Sequence, residues 1–303
     1  MSLESLKGEC YLKKIIAGFL SVIFILSIPF IALADVSEGD VIATLGADLT
    51  PQQKEEVLND MNVNENEIEI VEVTNEEEHA YLGSHMPKAQ IGSKAISSAK
   101  ITIGKKGSGI IAQSKNINYV SNEMYINALV TAGVKDAEVY VTAPFTVSGT
   151  GALTGILKAY EVSTGEKIPE KQKQVANEEM VTTAKLGEKE GVGQEKAANL
   201  MTTIKEKIAE NPPQTDEEMK EIIENAADQT GIELTEEEKQ TLIDLFNKIK
   251  GLNIDWDHVG DQLKKAKEKW DAFVQSEEGQ GFLATIKDIL NKIIEAIKSW
   301  LSS

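Results

Sequence analysis

Hydrophobic positions follow two different periods along the chain, with the change near Gly165. Before it, short β-branched runs at residues 41–45, 67–74 and 137–141 alternate with segments of helical period. The expected order of elements is β-α-β-α-β-β-α-β-α. This order predicts a mixed sheet with helices packed on it.

A glycine-rich segment separates two further β-branched runs. Residues 96–103 and 110–117 flank the sequence GKKGSG at residues 104–109. Two such runs around a glycine-rich turn are typical of a β-hairpin. We therefore expect the two runs to pair with each other.

Beyond Gly165 the β-rich runs stop and helix-start signals replace them. In the tail, apolar side chains from Phe282 onwards recur on one stripe, with charged residues opposite. The predicted fold class is α+β: an N-terminal α/β domain over residues 35–165, with the mixed sheet and the hairpin, and then an all-α helical domain over residues 166–303. The expected helix starts are at Pro169, near Gln194, at Thr215 with Glu218, at Thr235 with Glu238 and near Asp255.

The first 34 residues have the organisation of a secretory signal. A lysine pair, Lys13-Lys14, precedes an apolar stretch over residues 15–30, and the small-x-small sequence Ala-Leu-Ala closes it at residues 32–34. Cleavage is expected between Ala34 and Asp35, which predicts a secreted or cell-envelope protein. The alternative is an uncleaved membrane anchor, because the stretch approaches the length of a bilayer span.

Composition narrows the classes of partner. The formal net charge is −18, and all 31 basic residues are lysines. Nucleic-acid binding depends on clustered cations, so no nucleic-acid partner is expected. The single cysteine, Cys10, precedes the apolar stretch, so a processed chain would contain no disulfide.

Four segments together carry a resemblance to a known family. They are GDVIATLGADL at 39–49, QIGSKAISS at 90–98, AGVKDAEVYVTAPF at 132–145 and TVSGTGALTG at 146–155. With them the chain resembles the YpuA-like family of exported proteins of bacilli and related Gram-positive bacteria, a domain of unknown function. The resemblance spans nearly the whole chain and implies export and a cell-envelope setting. It implies no catalytic residues.

A weak anion-binding signal lies between a strand and a helix. Gly149, Thr150 and Gly151 would stand at a helix N-terminus, where free N–H groups and the helix dipole favour an anion. The spacing Gly-x-Gly-x-x-x-Gly misses the dinucleotide fingerprint by one residue. Tight-turn geometry is the favoured explanation of these glycines, and no cofactor is expected.

A Ser-x-x-Lys sequence runs from Ser97 to Lys100. In acyl enzymes this spacing places an amine beside the nucleophile on one helix face. Here the segment is predicted to be a strand, in which residues three apart face opposite sides. The spacing therefore favours no catalytic assignment.

The spacing of the histidine and acidic residues does not match that of metal ligands in known motifs. His79 and His85 are six residues apart, whereas helical metal pairs require three or four. The segment from Asp255 through His258 begins like a calcium loop, but the fifth ligand position holds Val259. No metal site is expected. Asp255 is better explained as a helix N-cap with Trp256 in the core.

These observations favour a non-catalytic interaction module that binds a protein or a cell-wall component. The alternative is an envelope hydrolase with a serine-based site, Ser97 or Ser98, near the Gly149 loop. A further alternative is peripheral membrane contact through the C-terminal helix, although its polar face lacks the lysine bias that anionic lipids favour. The sequence indicates no oligomeric state.

Overall fold

The computed structural model describes residues 38–275 apart from Asn253. The predicted signal, its cleavage point between Ala34 and Asp35, and the amphipathic tail from Phe282 lie outside the described residues.

Five strands form the sheet in the order β2-β1-β3-β5-β4. The β1–β2 and β4–β5 pairs are parallel, whereas β1–β3 and β3–β5 are antiparallel. The predicted mixed sheet, and with it the α+β fold class, is confirmed. The strands are β1 Val41–Gly46, β2 Glu69–Val73, β3 Ser98–Ile103, β4 Ile111–Ser114 and β5 Ala137–Thr142.

The predicted hairpin is wrong, because β5 lies between β3 and β4. The glycine-rich connection is held by Asp136, the residue before β5. Its carboxylate accepts hydrogen bonds from the N–H groups of Gly107 at 2.9 Å and Gly109 at 2.8 Å, and its carbonyl accepts one from Gly104 at 2.6 Å. These bonds turn the connection toward β5 and leave β3 free to pair with that strand.

Three helices of the first half begin at capping boxes. Threonine or serine capping boxes start α1, α2 and α4 at Thr50, Thr74 and Ser121. Helix α1 covers the β1 side of one sheet face, and α4 and α5 pack into the larger core on the opposite face. These helices are α1 Pro51–Asp60, α2 Asn75–Leu82, α3 Lys88–Ile91, α4 Asn122–Thr131 and α5 Thr150–Thr164.

The second half is helical throughout the part that the structure describes. Its helices are α6 Glu170–Gly187, α7 Gln194–Glu210, α8 Asp216–Thr230, α9 Glu236–Lys250 and α10 Trp256–Gln275. The five predicted starts are confirmed to within a residue or so. Among the described residues, no helix is both long and apolar enough to cross a membrane.

Hydrophobic packing continues past Gly165. The largest buried cluster joins the sheet and α5 to residues of later helices, among them Met180 of α6 and Leu263 of α10. A second cluster lies among α6 to α9, and Trp256 is partly buried against both clusters. The sheet and the helices that follow it therefore share packed side chains.

An ion pair lies buried where α4, α6 and α7 meet. Lys205 Nζ is 2.6 Å from Glu179 Oε1, and both side chains are 1% exposed. Lys205 also donates to the carbonyl of Asn127, and the Thr131 hydroxyl donates to Glu179. Burial raises the pKa of Glu179 and lowers the pKa of Lys205, and the attraction between the two charges opposes both shifts.

Candidate functional site

A pocket of about 180 Å³ opens between α2, α5 and α6. Helix α5 forms one wall with four residues spaced i, i+3, i+4 and i+7, a spacing that places them on one helix face. Helix α2 contributes two residues one turn apart, and α6 contributes one. The lining residues are Glu77, Tyr81, Thr154, Leu157, Lys158, Glu161 and Lys173.

Two lysine–glutamate pairs line this pocket at different exposure. Lys173 Nζ lies 3.0 Å from Glu161 Oε2, with side chains 15% and 10% exposed. Lys158 Nζ lies 2.7 Å from Glu77 Oε1, with side chains 39% and 36% exposed. The first pair is therefore the inner one, and the second lies nearer solvent.

The N-terminus of α2 fixes the outer pair. Glu77 is the N3 residue of the capping box that Thr74 begins. Its Oε2 accepts a hydrogen bond from the N–H of Thr74 at 2.9 Å, and its Oε1 accepts one from Lys158. The Lys158 ammonium also donates to the carbonyl of Glu72 at 2.9 Å. The lysine of α5 thus holds the start of α2 against the pocket wall.

Three groups of the pocket, Glu77, Tyr81 and Lys173, have pKa values shifted away from neutral pH. Partial burial alone would raise the pKa of Glu77, but the bonds from Lys158 and the Thr74 backbone hold it below its usual value. Burial alone would lower the pKa of Lys173, but Glu161 and other neighbouring groups raise it. Burial and the carboxylates of Glu170 and Glu161 raise the pKa of Tyr81. Each of these three shifts moves a pKa away from the range useful for proton transfer.

The two ammonium groups of the pocket use only part of their hydrogen-bonding capacity within the described residues. An ammonium can donate three hydrogen bonds. Among the described residues, Lys158 donates two and Lys173 donates one, to Glu161. The hydroxyl of Thr154, a residue only 5% exposed, has no hydrogen-bond partner.

A separate buried carboxyl lies against the first turn of α5. Glu78 is 4% exposed, and a Cβ placed on Gly151 would stand 1.8 Å from its Oε1. Asn75 donates to the other oxygen at 3.1 Å. Burial raises the pKa of Glu78 to about 7, with a smaller contribution from Asp48. Gly151 therefore provides the space that this carboxyl occupies.

The predicted anion loop caps α5 without a side-chain hydrogen bond. Gly149 has φ 84°, and a Cβ there would lie 2.5 Å from both Ile117 Cγ2 and Tyr125 Oη. Tyr125 donates to the Gly149 carbonyl at 2.6 Å, and the hydroxyls of Thr150 and Ser148 are 3.2 Å apart. Packing and a left-handed backbone explain Gly149, and anion binding here stays a prediction.

The Ser-x-x-Lys residues have separate contacts. Ser98 is fully buried at the start of β3, with Oγ 3.4 Å from the N–H of Gly46. Lys100 donates to the carbonyl of Met61 at 2.6 Å. Ser97 is half-buried just before the strand. The lysine is thus engaged by a backbone acceptor rather than by a serine.

The histidines do not gather into a site. His79 Nε2 donates to the carbonyl of Gly92 at 2.9 Å, and His85 lies beyond the end of α2. His258 lies in α10, and its side chain is outside the described ones. Within residues 38–275, Asn253 aside, no group of three or more His, Cys, Asp or Glu side chains could hold a metal ion.

The comparisons with known proteins agree with one another. The sequence pattern of the family described as "Protein of unknown function (DUF1002)" matches residues 45–266. "Uncharacterized protein YpuA" of Bacillus subtilis (strain 168) is 51% identical over 290 residues, which cover 95% of this chain and 99% of that protein. No solved structure matches the chain.

Proposed function

Because the chain belongs to the DUF1002 family, as its resemblance to YpuA-like proteins predicted, we propose a function from the geometry of its pocket. The protein is an exported, non-catalytic binding module of the cell envelope. It holds a polar part of a protein or wall component in the pocket between α2, α5 and α6.

The observation that carries this proposal is the combination of fixed charges and unused donors. Glu77 and Lys173 keep their charges near neutral pH, so neither exchanges a proton readily with a substrate. Lys158 and Lys173 line the pocket and retain hydrogen-bonding capacity. A site that offers donors without an activated group is suited to recognition.

The serine-hydrolase alternative receives no support from the described contacts. Ser98 is buried against Gly46, whereas the Gly149 loop packs on Ile117 and Tyr125. Lys100 is hydrogen-bonded to the backbone, which leaves no activating amine at the serine.

Binding is tested by sedimentation of the purified chain over residues 35–303 with isolated Bacillus subtilis cell walls and, separately, with solubilised envelope proteins. Replacing both pocket lysines, Lys158→Met with Lys173→Met, should reduce the bound fraction at least about 10-fold, the loss expected for charge-assisted hydrogen bonds. Lys189→Met is the matched control, since Lys189 forms a similar pair with Glu238 away from the pocket. Equal binding by all three proteins would contradict the assignment of the pocket.

Export is tested by sequencing the N-terminus of the protein recovered from cells. We expect Asp35 as the first residue in the envelope or medium fraction. A cytoplasmic product that retains the residues before Lys13 would overturn the envelope assignment.

A further inference from the structure

The contact between α2 and α5 contains a group that the proposed binding function does not use. Helix α2 has two buried side chains, Glu78 and Leu82, which are four residues apart and therefore lie on one face of the helix. One of the two side chains that this helix buries is thus a carboxyl. We propose that Glu78 is a proton-dependent latch: α2 is held against the first turn of α5 while the carboxyl is neutral, and it separates from that turn when the carboxyl ionises.

The surroundings of Glu78 favour a neutral carboxyl. The side chain is 4% exposed, and its Oε1 lies so close to the backbone of Gly151 that a Cβ there would be 1.8 Å away. The amide of Asn75 donates a hydrogen bond to the other oxygen, whereas the nearby Asp48 adds a repulsive negative charge. A buried carboxylate without a counter-charge is costly, so ionisation opposes this contact.

Charged and titratable groups on the elements around Glu78 are exposed or have other partners. Glu76, Lys88 and Lys94 are exposed. The groups with partners are Glu77 with Lys158, His79 with the carbonyl of Gly92, Asp48 with the N–H of Ala95, Tyr81 with Glu170, and Lys173 with Glu161. The N-terminal dipole of α5 favours the ionised form of Glu78, but the first turn of α5, residues 150–153, contains no cationic side chain to stabilise it.

The proton affinity of Glu78 sets the pH range of the latch. Burial, with a smaller contribution from Asp48, raises the pKa of Glu78 from 4.5 to about 7. The docked helix therefore holds the proton more tightly than the separated helix does. Docking is favoured most below pH 4.5 and weakens as the pH rises through 7.

Separation of α2 would remove one wall of the pocket. Glu77, the residue before Glu78, and Tyr81, about one turn further on, line the pocket from α2. Leu82 is the apolar side chain that α2 buries, so little else holds this helix in place once the carboxyl is charged. The pocket is therefore complete while Glu78 is neutral and loses its α2 wall on ionisation, whatever the pocket binds.

The test is hydrogen-exchange mass spectrometry of the purified chain over residues 35–303 at pH 5.5 and pH 8, with rates corrected for the intrinsic pH dependence of exchange. Peptides from α2 should be at least about 10-fold less protected at pH 8 than at pH 5.5. At pH 8 they should also be at least about 10-fold less protected than peptides from α8 and α9, which shows that α2 separates while the rest of the chain stays folded.

Glu78→Gln is the decisive variant, because its amide resembles the neutral carboxyl in shape and cannot ionise. The protection of α2 in this variant should be the same at both pH values. Glu76→Gln, on the exposed side of the same helix, is the matched control and should keep the loss of protection seen in the unmodified chain.

Four results would overturn the latch. They are equal α2 protection at the two pH values in the unmodified chain, a loss that persists in Glu78→Gln, a loss that Glu76→Gln also abolishes, and α2 protection at pH 8 equal to that of α8 and α9. The last result would mean that α2 is released only when the whole chain unfolds. None of these measurements requires a ligand, so they leave the proposed binding function to its own test.

Discussion

Two of the lysine–glutamate pairs to which helix α6 contributes have opposite surroundings. Its Lys173 pairs with Glu161 beside the pocket, with side chains 15% and 10% exposed. Its Glu179 pairs with Lys205 in the core, with both side chains 1% exposed. The residue types are the same, so the difference lies in what else each charged group contacts.

In the core pair, each charged group has one further polar contact. Lys205 also donates to Asn127, and Glu179 also accepts from Thr131. In the pocket, Lys173 donates one hydrogen bond, to Glu161, and borders open space. A fully buried pair is suited to fixing the packing of helices, whereas a pair that borders open space can contact a ligand.

Removing one member of the core pair should have the largest effect on stability. Lys205→Met leaves Glu179 buried without its counter-charge, which should lower the free energy of unfolding by about 3–5 kcal/mol. Urea denaturation at pH 7 measures it. Lys173→Met should cost less than half as much, and Glu179→Leu combined with Lys205→Met should recover most of the loss. A cost for Lys205→Met no greater than for Lys173→Met would break the comparison.

Glu78 extends the comparison to a buried carboxyl without a lysine partner. Its pKa in the folded protein, about 7, exceeds the ordinary 4.5, so the folded state binds this proton more tightly than the unfolded state does. Its contribution to stability is therefore greatest below pH 4.5 and is lost as the pH rises through 7, by about 3 kcal/mol in total. Glu78→Gln should remove this dependence and raise stability at pH 8, as measured by urea denaturation across pH 4–8. The exposed neighbour Glu76 provides the control Glu76→Gln, which should keep the wild-type profile.

Gly151 tests whether this carboxyl occupies the first turn of α5. Gly151→Ala should lower the free energy of unfolding by about 1–3 kcal/mol, because the methyl group would collide with Glu78. In a Glu78→Ala background the same change should stabilise the protein by up to about 1 kcal/mol, since alanine favours helix over glycine. A double-mutant cycle by thermal denaturation measures the reversal. The same sign in both backgrounds would contradict the contact.

Replacing either of two similar lysines, Lys158 and Lys189, should have the smallest effect on stability and gives the sharpest test of function. Lys158 donates hydrogen bonds to Glu77, the N3 residue of the Thr74 capping box, and to the carbonyl of Glu72. Lys189 makes the corresponding bonds to Glu238 of the Thr235 box and to the carbonyl of Glu233. Replacing either lysine by methionine should cost no more than about 1 kcal/mol.

Of the two replacements, only Lys158→Met should reduce the fraction bound to cell walls or envelope proteins, because only Lys158 lines the pocket. Thermal melting and the binding assay on the two variants check both statements. Equal affinity in both would leave the outer pair with a purely structural role.

Local chemistry explains which parts of the fold were predictable from the sequence. The predicted helix starts at Thr215 and Thr235 depend on contacts within a few residues, and the structure contains these caps. The hairpin prediction was wrong because strand pairing depends on contacts between residues far apart in sequence. Strand β3 pairs with β5, and Asp136 beside β5 holds the glycine-rich loop, although a strand and a helix separate the two in sequence.

The pocket was not predicted, because three helices far apart in sequence build it. The available signal was in α5, where Lys158 and Glu161 interrupt an otherwise apolar helix on the same face as Thr154. Helical spacing could have selected that face. It could not have indicated that Tyr81 and Lys173 would stand opposite.

The position of β5 between two earlier strands also sets an order of assembly. As the chain is synthesised from its N-terminus, β3 and β4 must wait for residues 137–142 before either gains this neighbour, and non-local pairing of this kind slows folding. Helix α6 follows later still. The pocket is thus completed only after all five strands, and a nascent or truncated chain that ends before Lys173 would contain every strand of the sheet without the complete pocket.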